Sequence, residues 1–137
     1  MLVSNSDIEI YLDESGYPFE RLDDGLWRVE APEDRVTNII LHHEEPILVM
    51  RVNLMKVPTG NPEPFFRRLL EINANEITHG AFALEEEYVI IIDTLRTENM
   101  DLNELVASLQ SVAFCVRQFY KELSSFHQHS DVPAAVT

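Results

Sequence analysis

Two histidines followed by two glutamates, His42-His43-Glu44-Glu45, are the densest group of metal-competent side chains in the sequence. A structural metal site needs about four such donors converging on one point. The flanking residues are β-rich, and neighbours on a strand point to opposite faces, so no more than two of the four could reach one ion. They read as the polar end of a hairpin. His127 and His129 near the carboxyl end supply two nitrogens, short of a tetrahedral set. Glu85-Glu86-Glu87 offers paired carboxylates for acid–base work, but a tight turn presents such side chains to water rather than to a substrate. Cys115 lies in a helical pattern beside Val112 and Val116 with no His nearby in sequence, which favours a buried structural thiol over a nucleophile. The four glycines, Gly16, Gly25, Gly60 and Gly80, are too far apart to form a phosphate-cradling loop or a dinucleotide turn. No catalytic group, cofactor or metal is therefore expected, and the chain reads as a non-enzyme.

Composition narrows the partners. The 137 residues suit one domain with one core, and a hydrophobic share of 45% is ample to fill it. A formal charge of -14 repels phosphate backbones and anionic lipid, so neither nucleic acid nor membrane surface is an expected partner. That charge serves solubility, or steers the chain toward a basic protein segment. A single cysteine rules out an intramolecular disulfide and suits the reducing cytoplasm. The first residues, MLVSNSDIEI, lack the basic and apolar regions of a signal peptide, and no apolar run approaches a bilayer span.

The elements follow from spacing. Ser6 caps a short helix whose apolar residues Ile8, Tyr11 and Leu12 recur at i, i+3 and i+4, ended by Gly16 and Pro18. Phe19 to Leu22 and Leu26 to Glu30 form strands around Asp23-Asp24-Gly25. Val36 to His43 and Ile47 to Val57 are central strands joined by a gap short enough only for an antiparallel connection. In the latter, alternation turns Leu48, Met50, Val52 and Leu54 to the core and Ile47, Val49, Met55 and Val57 to the other face.

A second helix runs from about Pro62 to Ala74, with Phe66, Leu69, Leu70 and Asn73 on one stripe, Phe65 and Ile72 at its margins, and Arg67-Arg68 toward water. A hairpin from His79 to Leu95 follows, its second strand so continuously apolar that cover on both faces, by helices or by a partner subunit, is expected. Asp101 and Glu104 then open a long helix whose apolar stripe is wider than one sheet contact requires. Residues 1–126 make the single domain, and 127–137 read as a flexible tail.

This order, with LLEINANEITHGAFALEEEYVIIIDTL as its most specific stretch and YPFERLDDGLWRVE in the amino-terminal half, resembles the fold of type III secretion chaperones and YbjN-type proteins over roughly residues 6–125. The resemblance implies an α+β fold, a twisted antiparallel sheet with helices packed on it, in the order α-β-β-β-α-β-β-α, with three or four strands before the second helix. It also implies a homodimer and, in the chaperone branch, apolar patches that hold an extended segment of a client protein. The expected function is accordingly a cytoplasmic protein-interaction module. Its expected contact residues are Ile47, Val49, Met55 and Val57 on the second sheet face, and Phe65 and Ile72 on the second helix. The alternative is a small bacterial regulatory domain without chaperone activity.

Overall fold

A computed structural model describes residues 2–131. Helix α1 (Asn5–Ser15) leads into strands β1 (Phe19–Asp23) and β2 (Leu26–Ala31), a short 3-10 turn (Pro32–Asp34), and strands β3 (Val36–Glu44) and β4 (Ile47–Lys56). Helix α2 (Glu63–Asn75), strands β5 (Ala81–Glu85) and β6 (Tyr88–Arg96), and helix α3 (Leu102–Asp131) complete the order. Four strands precede α2, the larger of the two counts expected. The strands form one sheet in the order β1-β2-β3-β4-β6-β5, with every neighbouring pair antiparallel. The connection through α2 lets β6 pair with β4 and pushes β5 to the outer edge.

Local chemistry sets the ends of these elements. Ser4, rather than the expected Ser6, caps α1: its hydroxyl accepts from the Asp7 amide at 3.1 Å, and the Asp7 carboxylate accepts from the Ser4 amide at 2.8 Å. Gly16, at φ 83°, ends the helix in the left-handed region that side chains disfavour. Asp101 caps α3 by accepting from the Glu104 amide at 2.9 Å.

All three helices pack on one face of the sheet around a single core. Ile8 and Leu12 of α1, Phe65, Leu69 and Ile72 of α2, and Leu105, Leu109 and Val112 of α3 meet alternate strand residues such as Trp27, Leu41, Met50 and Ile91. The buried Trp27 ring donates its Nε1–H to Glu9 Oε1 at 3.0 Å, and Glu9 also holds Arg21 across two bonds, which fastens α1 to the first hairpin. The wide stripe of α3 is used against the sheet and against both other helices. The Tyr11 hydroxyl of α1 donates to the Met100 carbonyl just before α3, Phe126 meets Phe65 edge-on at 5.5 Å, and Glu122 receives Arg68. Arg68 is thus an interhelical anchor, not the solvated helix face its sequence position suggests. Its guanidinium also reaches Glu76 at 2.9 Å.

Helix α3 extends through Asp131, so the expected tail from residue 127 begins as continued helix. His127 donates to the Lys56 carbonyl at 2.7 Å. The last six residues of the tail and the His129 side chain lie outside the described residues.

Candidate protein-binding surface

With the helices on one face, the other face of the sheet is left without cover from any described element. Strand alternation places Leu26, Ile40, Ile47, Val49 and Ile92 there, each partly exposed and none of them in the core cluster, while Ile90 points the same way but is buried. The register brings them together. Ile40 sits opposite Arg51, Val49 opposite His42 and Thr94, and Ile92 opposite Arg51 and Ala81. Leu26, Ile40, His42, Val49 and Arg51 line a shallow depression of about 350 Å³ at its centre. The apolar run of β6 is therefore covered by this chain's own helices on one side, which leaves the cover expected on the other side to a partner subunit.

Arg51 stands in the middle of this face. Its guanidinium crosses toward β5 and pairs with Glu85 at 2.8 Å, while its Nε donor is sheltered from water without a hydrogen-bond partner. A sheltered donor left unpaired carries a free-energy penalty. Arg28 pairs with Glu20 at 3.2 Å at the β1 end. The surface is thus an apolar floor with ion pairs near its margins, the layout of a contact patch rather than a catalytic cleft.

The two sheet edges differ. At the outer edge of β5, the Asn73 carboxamide donates to the Phe82 carbonyl at 3.0 Å and accepts from the Phe82 amide at 2.7 Å. It occupies two of the groups that a further strand would use. At the opposite edge, the Glu30 amide donates to the Pro18 carbonyl, so Pro18 and Glu30 form a bonded pair, and antiparallel alternation turns the N–H and C=O of Phe19 and Arg21 outward.

Of the six expected contact residues, the structure brings two to this face, Ile47 and Val49. Met55 and Val57 are turned away by a β-bulge between Asn53 and Met55. Past that bulge Met55 pairs with the core residue Val89, and both Met55 and Val57 pack against the core. Phe65 and Ile72 are corrected from surface to core, each 0% exposed, because the buried stripe of α2 is Phe65, Leu69 and Ile72. Leu70, expected on the packed stripe, is instead 67% exposed. The sequence reasoning missed Ile40 and Ile92. Their own alternation with the buried Ile39, Leu41 and Ile91 was the available signal.

Other candidate chemistry disperses. His42 lies on the open face, whereas His43 turns to α1, its Nδ1 2.5 Å from Asn5 Oδ1. Among the described residues no group of three or more His, Cys, Asp or Glu side chains could hold a metal ion. Burial pushes the Cys115 thiol up to about 11, which keeps it protonated and unreactive. No helix of the described residues is long and apolar enough to cross a membrane.

Residues 1–129 match the family model CesT_Tir_1, and no curated protein matches the chain. Among solved structures, the chain is similar to YbjN from E. coli at 13% identity, covering 92% of this chain and 96% of that one with a TM-score of 0.67. It is also similar to a chain of the heterodimeric ExoU–SpcU complex from the type III secretion system of Pseudomonas aeruginosa, at 18% identity, 85% and 93% coverage, and a TM-score of 0.64. A third similar structure is the Yersinia pestis type III secretion chaperone SycH in complex with a fragment of YscM2, at 20% identity, 82% and 95% coverage, and a TM-score of 0.59. At these identities the likeness is one of fold.

Proposed function

Because the chain belongs to the CesT_Tir_1 family, we propose that it is a non-enzymatic, cytoplasmic binding module that holds an extended segment of another protein on the open face of its sheet. The observation that carries this reading is the apolar face itself, with Ile40, Val49 and Ile92 around a sheltered, unpartnered Arg51 donor. Burying such a face is worth about 25 cal/mol for each Å² of apolar surface removed from water. The outward main-chain groups of Phe19 and Arg21 offer the same segment strand-type bonds at the margin. Two of the similar structures are complexes with another protein, which supports a protein partner. A charge of -14 favours a segment with basic flanks. A homodimer completes the reading.

The test is affinity capture from the cell of origin with the wild-type chain and with Val49→Asp, followed by mass spectrometry. Enrichment of one secreted protein's amino-terminal segment, lost with Val49→Asp, is the expected result. Enrichment of a kinase or transcriptional regulator would favour the regulatory alternative. Light scattering that returns the mass of a single chain would sink the dimer.

A further inference from the structure

On the helical side of the sheet, a groove of about 900 Å³ opens between α3, the 3-10 turn, the start of β3 and the end of β4. Its accessible apolar lining comes from Leu54 and Val116, over the buried core residues Val36 and Val52, and Tyr120 stands at its side, half exposed. Neither the family nor the open sheet face accounts for this groove. A volume of this size is ample for a small ligand.

Its charges set it apart from the rest of this acidic chain. Every Lys and Arg of the described residues is in an ion pair except Arg35 and Lys121. Arg35 lines the groove, and Lys121 lies one helical turn beyond Arg117, which lines it too. Arg117 already pairs with Asp34 at 3.2 Å, so Asp34 is neutralised in place, and Glu33 is the remaining acid of the lining. Arg35 also sits at φ 60° and ψ 36°, a left-handed conformation in which glycine or asparagine would rest more easily. Arg35 is exposed and outside any ion pair, so its guanidinium is open to an anion at the edge of the groove.

We propose that this groove binds a small amphipathic anion, with its carboxylate on Arg35 and its apolar body along Leu54 and Val116 against the Tyr120 ring. Lys121 adds attraction near the mouth. A small monoanion is the occupant favoured over an acidic protein segment, because the field of a chain at -14 repels a polyanion more strongly and is screened within about 8 Å at physiological salt. The proposal stands apart from the protein-binding reading, since it uses the other side of the sheet.

Decanoate is the probe, with decyltrimethylammonium, of the same chain length and opposite charge, as the control, and both are titrated into ¹⁵N-labelled protein followed by amide NMR. Saturable shifts at Val36, Val52, Val116 and Tyr120 with decanoate, and none there with the cation, are expected. Arg35→Asn removes the charge while keeping a residue that tolerates the left-handed backbone, and should weaken decanoate about tenfold, the loss of one charge-assisted bond. Tyr120→Ala, at an exposed position, should weaken it as well. Equal binding of the cation, shifts centred on Ile40 and Val49 instead, undiminished affinity in Arg35→Asn, or no saturation with either probe would each overturn the proposal.

Discussion

The carboxamide of Asn73, on the last turn of α2, makes both main-chain hydrogen bonds that Phe82 would otherwise offer at the outer edge of β5. It blocks that edge at Phe82 and ties α2 to the sheet with the same two bonds. Edge strands with free backbone groups are templates for pairing with other chains. Asn73→Ala should therefore cost about 1–2 kcal/mol, from two part-buried groups left without partners. It should also raise the tendency to associate. Urea unfolding checks the first and sedimentation velocity at rising concentration the second; an unchanged midpoint with no added association would show the plug to be idle.

Glu9 carries a pH dependence. Its bonds from Arg21, and then from the Trp27 indole, hold its carboxyl below the ordinary value of 4.5. A carboxyl lowered in the folded state contributes stability that is present above its unfolded value and is lost as pH falls through the folded one. The Asp7 carboxyl, lowered by its bonds to Ser4, acts in the same direction. Glu9→Gln keeps an oxygen for Trp27 but has no charge to lose, so its urea midpoint should fall less steeply than the wild type's between about pH 5 and about pH 3. Parallel curves for the two proteins would remove Glu9 from the account of acid sensitivity.

Cys115 should behave as core. With its thiol pushed up to about 11 by burial, the native protein at about pH 8 should react slowly with a disulfide reagent and rapidly once unfolded in urea. Rapid native labelling would place the thiol in reach of solvent.

How far the sequence carried these conclusions depended on the range of the interactions involved. The strands of the hairpins were legible because alternation and turn residues act over a few positions, and the side of Ile47 and Val49 followed from alternation alone. The same alternation misplaced Met55 and Val57, since the bulge at Asn53–Met55 arises from pairing with β6, more than thirty residues away. Phe65 and Ile72 were misplaced for a related reason. Phe65, Leu69 and Ile72 keep helical spacing as well as the stripe first read, and only the sheet beneath decides between them. Arg68 and Glu9 look like ordinary polar surface residues until their partners Glu122 and Trp27 are brought beside them, and the place of Asn73 on a helical stripe gives no sign of its bonds to Phe82. The groove beside Arg35 joins residues from four separate elements and leaves no local mark in the chain.

The most direct test of a segment held on the open face is site-specific photocrosslinking in the cell of origin. A benzoylphenylalanine replaces Val49 at the centre of that face or, as a control, the exposed Gln118 on α3. The expected result is a crosslink from position 49 to one protein, mapped by mass spectrometry to a single extended segment and abolished by Ile40→Asp, with none from position 118. Crosslinks to that partner from position 118 and not from 49, or a crosslink that survives Ile40→Asp, would contradict it.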